Sequence, residues 1–431
     1  MTLSNAASGL AGALADSVAG PVLLPDDSGF TEELASFQLG LRHQPDLVVG
    51  ARRVADVRTV LQLAGEHGVP VTVHNTGHGM RFSADEGVVL TLRRLNGVLI
   101  DPATRTARVG GGATWNDVMA AAAPHGLVPP SGSLGCVGAV GYTLGGGISL
   151  LARSDGWASD LVRSFTVVTE DGEEREVGPD DAEWFAQLRG SGPVRGEVVT
   201  EMTIGLLPEG RLQGGGLTFD IGATGAEGDP AVLHAFREWT AELPDELTST
   251  LRVMSFPDLD YLPPMLRGRR IARVAVALRG TEEDAERLVA PLRKVAQPIE
   301  DTLAPMPFAE YPRVHAEPDN PGPFIGENLL VDALDVTALE NLARLTGPTM
   351  VIVNIRHLGG ALARPAAVPD TVQGRDAQYL VAAVAPVDPL VSVTHPGAAY
   401  DQANPGWALE PFGTAKVGVS PGFSVGPRGR S

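Results

Sequence analysis

The chain has 431 residues, 43% of them hydrophobic, enough for two or three structural units of about 150 residues each. A formal net charge of −19 without lysine or arginine clusters excludes a nucleic-acid partner, and RGRR at 267–270 is too short to change that. The single cysteine, Cys136, excludes an intramolecular disulfide and any multi-cysteine metal site, so no metal is expected and the setting reads as reducing and cytoplasmic.

The amino terminus has no positive n-region, and Asp16 interrupts its apolar run, so it does not read as a secretory signal; residues 1–40 are expected as a helical lead-in. From residue 44, PDLVVGARR has the pattern of a buried strand. VADVRTVLQLAGEHG has helical spacing with a glycine stop, and VPVTVHNTGHG is a strand running into a glycine turn. This βαβ unit predicts a parallel pair whose second strand ends at the turn, where α/β folds place ligands. Short strands follow over GVVLTLRRLNGVLIDPATRTARVGGG. A helix over NDVMAAAAPHG starts near Thr114 or Asn116.

The most apolar long window, LGCVGAVGYTLGGGISLL at 134–151, carries six glycines and no aromatic or basic anchors, so it reads as loop and helix start, not a membrane span. SFTVVTEDGEEREV is a hairpin turning at Asp171-Gly172. DDAEWFAQLRGSG is a short helix into a third glycine loop, and EVVTEMTIGLLPEG closes the region as a strand. After residue 210, strands (GGGLTFDIG, TSTLRVMSF, ARVAVALRG) alternate with amphipathic helices (PAVLHAFREWTAEL, EEDAERLVAPLRKVA), which predicts an antiparallel sheet with helices on one face. The fold class is therefore α+β. Its expected divisions are a cofactor domain over 41–210, a substrate domain over 211–395 and a Gly/Pro-rich tail over 396–431.

Glycine-rich turns expose backbone N–H groups that bind phosphates without net positive charge, which suits an acidic protein. The loops are neither a P-loop nor a Rossmann fingerprint. Taken in order, they resemble the vanillyl-alcohol oxidase superfamily with its PCMH-type FAD-binding domain, and in particular the berberine-bridge-enzyme-like FAD-linked oxidoreductases. The resemblance covers roughly residues 40 to 385. Its first motif is Asn75, Thr76, Gly77, His78 and Gly79, followed by Met80. Its second comprises Ser131, Gly132, Val137, Gly138, Gly141, Tyr142, Leu144, Gly145, Gly146 and Gly147.

The resemblance implies FAD, covalently held by an 8α bond from His78. Family members with two links carry a cysteine where Leu134 stands here, so Cys136, two residues on, is not expected to form a second link, although it stays among the cofactor-binding residues. Val198 and Val199 are expected beside the flavin, after an RGSGPVRGE segment (189–197) that departs from the family's glycine-rich pattern. Tyr142 is the first candidate base and Tyr379 the second, with His357 and Asp376 weaker. The implied activity is an oxidase that passes a hydride from a small, secondary-metabolite-like substrate to FAD, with O2 as electron acceptor. A flavin-dependent cyclase, isomerase or monooxygenase, or a non-catalytic member, remains the alternative. Oligomeric state is left open by the sequence.

Overall fold

The structure, a computed structural model, describes residues 5–80, 82–224, 226–260, 262–344, 351–386 and 412. The tail expected over 396–431 lies, Phe412 apart, outside the described residues. Helix α1 (Asn5–Ser17) leads to strand β1 (Val22–Leu23) and a single turn, α2 (Phe30–Glu33). The expected βαβ unit follows as β2 (Leu47–Gly50), α3 (Val54–His67) and β3 (Val71–His74). Helix α3 ends because Gly68 takes a left-handed φ of 65°, which glycine adopts without a Cβ clash. The two strands are parallel but are not neighbours. Strand β4 (Val88–Thr91) lies between them, giving the order β1-β2-β4-β3. Leucines 10 and 14 of α1 and Val57, Val60 and Leu61 of α3 close over this sheet in one core.

The second sheet is wholly antiparallel, with order β5-β6-β10-β8-β9 from β5 (Val98–Asp101), β6 (Thr106–Gly110), β8 (Val162–Val168), β9 (Glu174–Val177) and β10 (Val198–Gly205). Helix α4 (Trp115–Ala122) starts at Thr114, whose hydroxyl accepts from the Asp117 amide while the Asp117 carboxylate accepts from the Thr114 amide. That reciprocal box satisfies two of the otherwise unpaired first-turn donors. Short β7 (Leu127–Val128) pairs with β11 (Leu207–Pro208). Trp115, Phe165, Phe185 and Met202 fill this core together with α5 (Ala139–Leu144) and α7 (Ala182–Leu188), while α6 (Ala152–Asp155) bridges toward the next sheet.

The third sheet is antiparallel throughout and reads β15-β12-β14-β13-β18-β19-β17, with β16 also on β12. Its strands are β12 (Leu212–Ala223), β13 (Leu247–Ser255), β14 (Arg269–Arg279), β15 (Glu300–Asp301), β16 (Ala304–Met306), β17 (Phe324–Val331), β18 (Val351–His357) and β19 (Tyr379–Pro386). Helices α8 (Ala231–Thr240), α9 (Glu282–Val295) and α11 (Val336–Ala343) bury Leu233, Phe236, Val289 and Leu339 against Phe219, Val253, Val353 and Val381 of the sheet. On the other face, α10 (Pro312–His315) and its flanks place Phe308, Tyr311 and Val314 against Leu212, Ala275 and Ala277, together with Leu150 and Leu151 from the second glycine stretch. That contact sets the third sheet opposite the glycine loops.

Candidate active site

The first loop leaves β3 at His74. Gly77 has φ 76°, and a Cβ there would lie 1.9 Å from Ser36 Oγ, so only glycine lets the chain turn at this point. The loop is fastened from both sides. Arg93 Nε donates to the Asn75 carbonyl at 3.1 Å, and Asn75 Nδ2 donates to the Gly111 carbonyl at 3.3 Å. His78 Nδ1 shares a 2.9 Å hydrogen bond with Thr76 Oγ1, which also accepts from the Gly138 amide at 3.3 Å. Phe37 stacks on the imidazole with centroids 3.8 Å apart and planes 17° from parallel. Burial lowers the His78 pKa to about 4, so the ring is neutral near pH 7 and its orientation is fixed.

The second loop carries Tyr142, the first candidate base. Its ring packs edge-on to Trp115, 5.8 Å between centroids, and lies so close to Gly132 and Gly147 that a Cβ at either would sit within 2.7 Å of it. Its hydroxyl donates to the Ile148 carbonyl, and burial raises its pKa. A phenol that gives its proton to a carbonyl and is hard to ionise is a poor proton acceptor. Gly132, Val137, Gly138, Gly141, Leu144, Gly145 and Gly147 line the cavity with Tyr142, whereas Ser131, Cys136 and Gly146 do not. The half-buried Cys136 has its Sγ 3.5 Å from His78 Nε2, and burial raises its pKa.

Together these segments enclose a cavity of about 720 Å³. Asn75, Thr76, Gly77, His78, Gly79 and Met80 form one wall, and Val198 and Val199 line it as well. From the third loop come Gly190, Ser191 and Pro193, followed by Glu197. That buried carboxylate accepts from Trp184 Nε1 at 3.0 Å and from the Arg195 amide at 2.7 Å. The third sheet contributes Asn328, Leu330, Arg356 and Leu380, with Glu317 beside them.

Tyr379, the second candidate base, does not border the cavity. It faces the helix-covered side of its strand, where its hydroxyl and that of Thr240 are 2.7 Å apart. Strand alternation sends Leu380, not Tyr379, into the cavity. His357 is buried on the same side as Tyr379, and its ring stacks on Tyr379 with centroids 5.5 Å apart; Asp376 is an exposed residue outside the lining. Sequence reasoning missed His74, Phe37, Glu317 and Arg356. His74 lines the cavity with both ring nitrogens unpartnered, and burial lowers its pKa to about 3. Burial opposes ionisation of Glu317, but the Arg252 and Arg356 guanidinium groups hold its carboxyl below the usual range.

Residues 45–178 match the FAD binding domain family. Over 316 residues the chain is 32% identical to (R)-6-hydroxynicotine oxidase of Paenarthrobacter nicotinovorans, an alignment covering 70% of this chain and 64%, just under two thirds, of that protein. Among solved structures, 6-hydroxy-D-nicotine oxidase from Arthrobacter nicotinovorans superposes with a TM-score of 0.72 at 24% identity, covering 91% of this chain and 86% of that one. A berberine bridge enzyme variant described as a reticuline dehydrogenase gives a TM-score of 0.76 at 17% identity, covering 93% and 84%. No helix among the described residues is long and apolar enough to cross a membrane.

Proposed function

We infer that this chain, a member of the vanillyl-alcohol oxidase superfamily with a PCMH-type FAD-binding domain, is an FAD-dependent oxidase of a small organic substrate. The observation that carries the reading is the large cavity on which the three glycine loops meet. Gly79 and Gly141 border it, and a Cβ at either would find no atom within 4 Å. Side chains there would take up room that the bare backbone leaves open to a cofactor. Arg356 is the sole arginine or lysine among the described lining residues, so a pyrophosphate on the loop side would rely on backbone N–H groups.

The residues proposed to hold FAD are Asn75 to Met80, Gly132, Val137, Gly138, Gly141, Leu144, Gly145 and Gly147, with Val198 and Val199. FAD held there would supply the acceptor for the substrate's hydride, with O2 as the proposed electron acceptor. His78 is the proposed point of covalent attachment. Its imidazole is neutral, which is the nucleophilic form, and Thr76 and Phe37 hold the ring in one orientation. Cys136, set back from the cavity beside His78, is proposed to remain a protonated thiol. The same reading divides the labour near residue 210, with the cofactor side before it and the substrate side after it. It also takes the substrate to be a secondary metabolite and the setting to be cytoplasmic.

The reading is tested by incubating purified protein with a panel of small alcohols and amines and following H2O2. Substrate oxidation matched by H2O2 supports an oxidase. A product isomeric with its substrate and formed without H2O2 would replace the reading with a redox-neutral one.

A further inference from the structure

The cavity wall supplied by the third sheet has a chemistry set by strand alternation. On β18, Val353 and Ile355 are fully buried in the core beneath the helices, so Asn354 and Arg356 face the other way. The register carries this pattern across the sheet. Arg356 is opposite Leu380, which is opposite Leu330; Asn354 is opposite Ala382, which is opposite Asn328. An apolar row on this face therefore ends in a guanidinium.

Arg356 differs from the other arginines packed nearby. Arg252 donates to Asn354 Oδ1 at 2.8 Å and to the His315 carbonyl at 2.9 Å, and it pairs with Glu317. Arg273 pairs with Glu300 at 3.1 Å, and Arg153 donates to the Leu247 carbonyl at 2.9 Å. Among the described residues Arg356 makes no hydrogen bond and has no carboxylate oxygen within 4.0 Å, although it is half-buried and lines the cavity. The neighbouring Glu317 is already engaged, by Arg252 and by the Ser133 hydroxyl at 2.5 Å. Two guanidinium groups against one carboxylate leave this corner with an excess positive charge, and burial keeps His315 neutral, so it adds none.

A guanidinium that borders a cavity without a direct ion-pair partner is available to an anion that enters it. In a chain of net charge −19, its persistence on a cavity wall calls for a ligand that supplies that anion. Arg356 also borders a void of about 10 Å³ beside Ser149, Ser249 and His357, which is at the lower limit for one water molecule. Of these two cavities bordered by Arg356, the larger is the one with room for an organic anion. The second unsatisfied group on the same wall is the buried Oδ1 of Asn328, an acceptor for a substrate N–H or O–H.

We propose that Arg356 is the anion receptor for the substrate, which is a small organic acid whose carboxylate pairs with the guanidinium while its apolar part lies along Leu380 and Leu330. Oxidation of that acid rests on the flavoenzyme reading; the anion site does not. A planar guanidinium takes a carboxylate through two parallel N–H donors, which fixes orientation as well as affinity.

The test is isothermal titration calorimetry of the FAD-loaded protein with benzoate and phenylacetate, each compared with its neutral amide. The expected result is that at least one carboxylate binds about 10- to 100-fold tighter than its amide, the range for a charge-assisted pair. Arg356→Met should abolish that preference by weakening carboxylate binding far more than amide binding, whereas Arg356→Lys should keep part of it. Carboxylates that bind no tighter than amides, or a preference that survives in Arg356→Met, would overturn the proposal. So would loss of FAD from Arg356→Met without any carboxylate preference in the wild type, since the guanidinium would then serve the cofactor. Flavin absorbance is read separately in each sample. A colourless protein that still prefers carboxylates would refute the flavoenzyme reading and leave the anion site standing.

Discussion

Gly147→Ala and Gly141→Ala add the same methyl group six residues apart, and the structure gives them opposite consequences. At Gly147 the backbone has φ 76°, which costs an alanine roughly 1–2 kcal/mol. The new Cβ would lie 2.6 and 2.8 Å from Tyr142 Cε1 and Cδ1 and 2.9 Å from Ala158 Cβ. The ring has little freedom to retreat, because its hydroxyl is bonded to the Ile148 carbonyl and it meets Trp115 edge-on. Overpacking of this kind adds about 1–3 kcal/mol, for a total loss of about 2–5 kcal/mol. At Gly141, inside α5, no atom lies within 4 Å of the Cβ position and φ is not positive, so alanine is expected to gain up to about 1 kcal/mol of helix stability. That methyl enters the cavity, however. Urea unfolding of FAD-free proteins in a His78→Ala background, followed by tryptophan fluorescence, should show a lower midpoint for Gly147→Ala and an unchanged or higher one for Gly141→Ala. FAD titration in the same background should show weaker binding with Gly141→Ala than without it. A Gly147→Ala protein as stable as wild type would refute the packing argument, and full FAD affinity in Gly141→Ala would refute the placement of the cofactor.

Tyr142→Phe removes one hydrogen bond to a backbone carbonyl, so it should cost about 1 kcal/mol of stability and leave turnover within a few-fold of wild type. A loss of 100-fold or more in kcat would instead support Tyr142 as the base. Cys136→Ser should retain its flavin through denaturation and show an unshifted visible spectrum, and release of the flavin would show that the thiol is a second attachment point. Burial lowers the pKa of His74 and of His357 to about 3, from an ordinary value of 6.5. The folded state therefore keeps both neutral where the unfolded chain protonates them. Their contribution is complete above pH 6.5 and is lost as pH falls from there toward 3, at about 1.4 kcal/mol each by pH 5.5. Urea midpoints at pH 7.5, 6.5 and 5.5 should fall accordingly, and a flat profile across that range would contradict the burial of these rings.

The parts of the site legible in the sequence are those that backbone chemistry dictates locally. NTGHG and the second glycine loop announce tight turns with small side chains, and most of their residues line the cavity. Strand order was not legible in the same way. Leu47–Gly50 and Val71–His74 read as a parallel pair, but the hydrophobic pattern of β4 does not say that it inserts between them. Tyr142 and Tyr379 show the other limit. A tyrosine's type suggests acid–base work, whereas its role depends on what its hydroxyl meets, here a carbonyl in one case and a core threonine in the other. Phe37 reaches His78 from 41 positions away, and no local pattern marks it. Arg356 did leave a signal. In VIVNIRH, polar residues alternate with buried aliphatic ones, which is the mark of a strand with one face covered and the other facing a polar space.

The central claim is tested most directly by the visible absorption of the purified wild-type protein before and after acid precipitation, with His78→Ala treated in parallel and any released cofactor identified by mass. The account expects a yellow wild-type protein whose colour stays in the precipitate, and a His78→Ala variant that binds FAD and releases it intact into the supernatant. A wild-type protein whose FAD all comes free in acid would contradict attachment through His78. A protein that is colourless and takes up no flavin on reconstitution with FAD would contradict the assignment of the glycine-lined cavity to this cofactor.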